Sequence, residues 1–133
     1  MILVTPEIRA ALEANAAARS AALARGERSP DPVPVVRFFN PVGHATWLAT
    51  EIDEENILFG LCDLGFGTPE LGSFALEEMQ SLRLPFGMGI ERDILFEGHF
   101  PLSVYAEAAR RAGSLVLAER LLYKAYSSLR GGR

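Results

Sequence analysis

Carboxylates at Glu51, Asp63, Glu70, Glu91 and Asp93 are the residues of this chain best suited to chemistry. Their oxygens are the ligands that Mg²⁺ and Mn²⁺ prefer, and in a nuclease such ions polarise the phosphate and activate water. Glu51 ends one expected strand, Asp63 ends the next, and Glu70 lies in the turn that follows. Asp93 stands two residues after Glu91, on the same side of a further strand. Adjacent antiparallel strands bring opposed side chains to about 5 Å. Glu51, Asp63, Glu70 and Asp93 are therefore the candidate ligands should a metal bind, Mg²⁺ or Mn²⁺, while the favoured expectation is no cofactor. The competing reading is structural, because strand-end acids also cap turns or pair with arginine, and Arg37 and Arg92 are at hand.

The lone cysteine, Cys62, could act as a thiolate with His44 or His99 as its base, which requires hydrogen-bond reach and a third orienting group. Its position inside an apolar run favours a small buried hydrophobe instead. Gly60, Gly65, Gly67 and Gly72 match no phosphate-cradling fingerprint, since no Gly-x-Gly-x-x-Gly opens a helix and no Gly-Lys-Ser/Thr is present. They read as turn glycines, with Pro69 stiffening the exit. The aromatics are mostly core by position, and Trp47 and Phe66 are the two whose exposure would let them stack on a base or anchor a partner. Arg110, Arg111, Arg120, Lys124 and Arg130 could face phosphates. With Leu115, Leu117, Leu121, Leu122 and Tyr126 among them, docking on the chain's own sheet or on a second copy is the stronger expectation, and a homodimer would form through this C-terminal helix. The interaction residues are thus Trp47, Phe66, Pro69, Arg110 and Arg111.

The elements that must position these residues follow from period and punctuation. Thr5, Pro6 and Glu7 start a helix that runs to Arg25 and stops at Gly26. Ile8, Leu12, Ala16, Arg19 and Leu23 share one of its faces. Residues 27–34 form a proline-rich linker. Three strands are expected at Val35–Phe39, Ala45–Ile52 and Ile57–Asp63, antiparallel because the loops are too short for crossovers. In the second, Thr46, Leu48, Thr50 and Ile52 face one way and Trp47, Ala49 and Glu51 the other. A brief strand at Gly72–Phe74, a short helix at Leu76–Leu82 and a strand at Ile90–Glu97 complete the sheet core of residues 35–97. Ser103 caps a C-terminal helical region at 103–130, broken at Gly113. The sum is a single α+β domain over 1–133, an antiparallel sheet of four or five strands with a helix before it, a short crossing helix and helices after it.

Composition bounds the classes. Hydrophobic residues at 49% and charged residues at 23% exclude a disordered chain. One cysteine excludes an internal disulfide, and no apolar run suits a signal peptide or a membrane span, so a cytoplasmic protein without a membrane partner is expected. Net charge is segregated: +1 over residues 1–30, −9 over 31–100 and +4 over 101–133. The acidic middle repels phosphates unless metals or the basic ends offset it.

Phe38-Phe39-Asn40-Pro41, Ala45-Thr46-Trp47, Thr50-Glu51, the run Phe59 to Gly65, Pro69-Glu70-Leu71-Gly72 and Glu91-Arg92-Asp93 resemble bacterial proteins grouped as domain of unknown function 2958. The resemblance extends to Leu3–Asn15 and to Leu102–Glu107, covering roughly residues 1–112 and leaving 113–133 unmatched. Ala75 departs from it where many relatives have a serine that would cap the short helix. The resemblance implies a protein often encoded on plasmids and integrative elements, and some members carry a label of single-stranded DNA endonuclease. The expected function is an accessory protein of a bacterial mobile element, a non-catalytic module that binds a protein or single-stranded nucleic acid through the 63–72 turn. The alternative is a metal-dependent single-stranded DNA endonuclease.

Overall fold

A computed structural model of the chain describes residues 1–131; the last two residues of the expected 1–133 domain lie outside the described ones. Helix α1 (Pro6–Ala24) starts as its sequence requires: Thr5 is extended and its hydroxyl accepts the Ile8 N–H at 3.2 Å. Gly26, just past its end, adopts φ +72°. Strands β1 (Val36–Phe39), β2 (Thr46–Ile52), β3 (Ile57–Asp63), β4 (Glu70–Ala75) and β5 (Glu91–Arg92) form one antiparallel sheet in the order β4-β3-β2-β1-β5. Helix α2 (Leu76–Ser81) follows β4, and α3 (Leu102–Ala112) and α4 (Leu115–Gly131) end the chain. Gly113, in the left-handed region at φ +69°, separates α3 from α4 as expected.

Both faces of the sheet are covered. Val36, Phe38, Trp47, Ala49, Ile52 and Leu58 pack with Leu3 and Leu12 from the N-terminal segment and with Leu76 and Met79 of α2. Leu48 and Leu61 face the other way, against Leu102, Tyr105 and Ala109 of α3 and Leu115 and Ala118 of α4. Every residue of the central strand β2 is buried. A β-bulge between Ala49 and Glu51 changes the expected alternation: Ile52 joins Trp47 and Ala49 on the α1 face, because one extra residue reverses the side-chain phase beyond it. Gly60, opposite Ala49, permits the close approach of the two strands at this point, since a Cβ there would lie 1.8 Å from the Leu48 carbonyl oxygen.

Three local expectations are corrected, and the short helix after β4 forms as expected. The strand expected at Ile90–Glu97 shortens to Glu91–Arg92, after which Asp93 accepts the Leu95 N–H at 3.0 Å and turns the chain away, leaving Ile94 and Leu95 exposed. Ser103 does not cap α3, which starts at Leu102 after Pro101; the Ser103 N–H and hydroxyl instead donate to Asp31 of the linker. Helix α2 forms without any side-chain cap at Ala75, held by Leu76 and Met79 in the core. Along α1, Leu12 and Ala22 are the buried residues, and Leu23 is exposed.

The Gly60 contact gives a direct test. Gly60→Ala is expected to cost about 3 kcal/mol or more, because strand backbone cannot yield as a flexible side chain would. Urea unfolding of the variant measures it, and a near-neutral result would show that the sheet relaxes at this point.

Candidate functional site

Antiparallel pairing sends the candidate acids apart. Asp63, ending β3, stands opposite Thr46 at the start of β2, whereas Glu51 stands opposite Phe59. The stretch of strand from Thr46 to Glu51 is roughly 16 Å long. Glu70 opens β4 at one edge of the sheet, and Asp93 follows β5 at the other. Each acid also has its own surroundings: Glu51 accepts from Arg19 Nε at 2.9 Å, Asp93 stands 3.5 Å from Arg37, and Glu70 is exposed. Among the described residues, no group of three or more His, Cys, Asp or Glu side chains comes together to hold a metal ion. The expected ligand set of Glu51, Asp63, Glu70 and Asp93 does not assemble, so the donors present do not fit Mg²⁺ or Mn²⁺.

Asp63 has a different task. Its carboxylate is buried, with one oxygen accepting the Gly65 N–H at 2.8 Å and the other the Leu115 N–H at 2.8 Å. It thereby closes the turn after β3 and satisfies the first N–H of α4, while the Ser114 hydroxyl accepts the Leu117 N–H at 3.1 Å. Gly65 and Gly67 adopt φ +92° and +84°, the left-handed conformations that two glycines in such a turn supply. The turn carries its apolar side chains outward: Phe66 is 82% exposed, Leu64 and Leu71 are exposed, and Pro69 is half-buried. A shallow cavity of about 270 Å³ lies among them, bounded by Cys62, Leu64, Phe66, Thr68, Glu70 and Leu71.

This cavity adjoins the free edge of β4. The Leu76 N–H donates to the Asn56 carbonyl at 3.1 Å, which sets the alternation of the β3–β4 ladder. Phe74, Gly72 and Glu70 therefore exchange bonds with Leu58, Gly60 and Cys62, and the main chains of Leu71, Ser73 and Ala75 face away from β3. Among the described residues, no other strand lies beyond β4. The setting is acidic: residues 38–82 contain eight carboxylates and no lysine or arginine. Glu54, Glu55, Glu70, Glu77 and Glu78 make no salt bridge among the described residues.

The other candidates are distributed as follows. Trp47 is buried on the α1 face and is not a surface anchor. Arg110 and Arg111 are exposed, and both pair with Glu107 on their own helix, holding its carboxyl below the usual range. Cys62 is half-buried; burial pushes its thiol up, a hydrogen bond from Trp47 pulls against this, and Asp63 and Glu70 add to the rise. Neither His44 nor His99 is hydrogen-bonded to it, so no thiolate–imidazole pair forms among the described residues. Helix α4 docks on its own sheet, as expected. Sequence reasoning missed the means: Arg37, on the α4 face of β1, makes a two-pronged contact with Glu119 at 2.8 and 3.0 Å. Burial pushes the Glu119 carboxyl up, and Arg37 opposes the shift. A charged residue between Val36 and Phe38 was the available signal, because an arginine at an inward strand position needs a partner.

The family model described as Protein of unknown function (DUF2958) matches residues 3–116, which is most of the chain. No curated protein and no solved structure matches it. No helix among the described residues is long and apolar enough to cross a membrane.

The geometry at Asp63 and Cys62 yields two expectations. Asp63→Ala leaves the Leu115 and Gly65 N–H groups without their acceptor and should lower stability by about 2–4 kcal/mol, with Asp63→Asn losing roughly half as much. Urea denaturation reads both, and a variant as stable as the parent removes Asp63 from this role. Cys62 holds less thiolate at a given pH than an ordinary cysteine, so iodoacetamide at pH about 8 should label the folded protein several-fold more slowly than the urea-unfolded chain. Equal rates would contradict its burial.

Proposed function

The chain belongs to the family described as Protein of unknown function (DUF2958), and for this member we propose a non-catalytic interaction module that takes an extended, basic segment of a protein partner as an added strand along β4. The observation that carries the proposal is the free edge itself: outward main-chain groups at Leu71, Ser73 and Ala75, beside exposed Phe66 and Leu71. Strand addition uses such groups for affinity and neighbouring pockets for alternate side chains. The cavity bounded by Leu64, Phe66 and Leu71 would take an apolar side chain of the incoming segment.

Charge selects the partner. Glu70 opens the edge, Glu77 and Glu78 follow it, and Glu54 and Glu55 lie in the loop before β3. Edge strands that avoid pairing commonly carry lysine or proline, and β4 carries neither. Lysine or arginine in the incoming strand would find carboxylates without salt-bridge partners, whereas a nucleic-acid backbone would be repelled. The proposed setting is that of an accessory protein of a bacterial mobile element, which the family resemblance implies. The endonuclease alternative rests on the family label, and the acids do not gather to support it.

Ser73 supplies the test. Its N–H faces outward, so Ser73→Pro removes a free donor without removing a bond of the β3–β4 ladder. A fluorescent eight-residue peptide alternating Lys with Val and Thr is expected to bind the parent, shift the amides of Leu71, Ser73 and Ala75, and lose about tenfold or more in affinity with Ser73→Pro. A peptide with Glu in place of Lys should bind at least several-fold more weakly. Binding that ignores Ser73→Pro, or that shifts no β4 amide, overturns the proposal. Metal-dependent cleavage of a single-stranded oligonucleotide would establish the endonuclease in its place.

A further inference from the structure

We infer that the cavity between the 95–100 loop and helices α3 and α4 binds an alkylated ammonium group. It encloses about 280 Å³ and is walled by Phe96, Phe100, Tyr105 and Tyr123 together with the carboxylates Glu97 and Glu119. Among the described residues, no lysine or arginine lines it. A ring face attracts a cation centred within about 6 Å, and the attraction grows where the cation is desolvated. Carboxylates at the same wall add net negative charge. Arg37 neutralises only part of it, because Arg37 is shared between Glu119 and Asp93 while Glu97 stands apart. The chemistry of the wall thus rejects anions, and it offers a cation more than it offers a neutral molecule of the same shape.

The walls are formed in advance of any ligand. His99 stacks on Tyr126 with ring centroids 3.7 Å apart, and Phe100 meets Tyr105 and Tyr126 edge-on at 6.2 and 6.3 Å. Tyr105 is buried, and its hydroxyl accepts the His99 N–H at 3.2 Å, so the loop is tied to α3 at the floor of the cavity. His99 Nε2 lies 3.9 Å from the Glu97 carboxylate, which holds that charge near the rim. Because the loop follows β5, this site is at the opposite edge of the sheet from β4 and is independent of the strand-addition reading.

The probes are tetramethylammonium, choline, a trimethyllysine amide, and the neutral alcohol in which carbon replaces the choline nitrogen. Each is titrated into the full chain, and amide shifts of His99, Tyr105 and Leu122 are read. Cations should bind at least about tenfold more tightly than the neutral alcohol. Tyr123→Leu and Glu97→Gln, both at exposed side chains whose replacement should leave the fold intact, should each weaken cation binding several-fold. A preference for choline assigns the site to a free small molecule, and a preference for trimethyllysine assigns it to a modified protein tail; either supports the inference. Equal binding of the neutral alcohol, the absence of shifts with millimolar cation, or variants that bind as the parent does would each overturn it.

Discussion

A single buried carboxylate, that of Asp63, fixes how the sheet, its glycine turn and the last helix stand to one another. A carboxylate is tolerated away from water only where its oxygens are hydrogen-bonded, and Asp63 meets that condition with one main-chain N–H from the turn and one from the start of α4. Neither donor has the freedom to move once α3 and α4 are packed on Leu48 and Leu61. The turn therefore leaves the sheet in one direction, and Leu64 and Phe66 point outward as a consequence. What resembles a catalytic acid in the sequence is a joint between the β3 turn and the start of α4.

The same economy of polar groups recurs across the α4 face. Arg37 on β1 and Glu119 on α4 are both largely buried and meet through two hydrogen bonds. A buried ion pair adds little net stability over a well-packed apolar pair, because desolvation offsets much of the attraction. Its effect is on orientation, since only one rotation of α4 brings Glu119 over Arg37. That rotation also sets Tyr123 and Leu122 against the 95–100 loop and so forms the walls of the aromatic cavity. On the other face, Glu51 and Arg19 tie β2 to α1 in a more exposed pair.

Charge divides the surface into regions of different electrostatic character. The half of the domain built from residues 38–82 has no lysine or arginine to balance its acids, and its outer boundary is an edge strand. Helices α3 and α4 carry a basic set, Arg110, Arg111, Arg120, Lys124 and Arg130, in which Arg110 and Arg111 are already engaged by Glu107. The extended basic segment and the small organic cation proposed above would thus meet two separate acidic surfaces, at opposite edges of one sheet.

Much of the architecture was legible without coordinates. Thr5-Pro6-Glu7 and Gly26 mark the limits of α1, the period-two runs mark β1 to β3, and the short loops require antiparallel pairing, all because these are local properties of backbone and solvent. The bulge at Thr50 was not legible, because it depends on Gly60 admitting the neighbouring backbone across the sheet. The length of β5 was equally hidden, since Asp93 can end it only by finding the Leu95 N–H in a turn. The role of the acids was decided by tertiary structure as well. Residue type and spacing in the sequence identify carboxylates able to bind a cation, but strand direction separates Glu51 from Asp63, strand order puts Glu70 and Asp93 at opposite edges, and the alternation of side chains turns Asp63 and its neighbour Glu70 to opposite faces. Sequence alone determines which groups exist and which elements carry them; only the folded sheet decides which of them meet, because pairing across strands is a matter of space and not of distance along the chain.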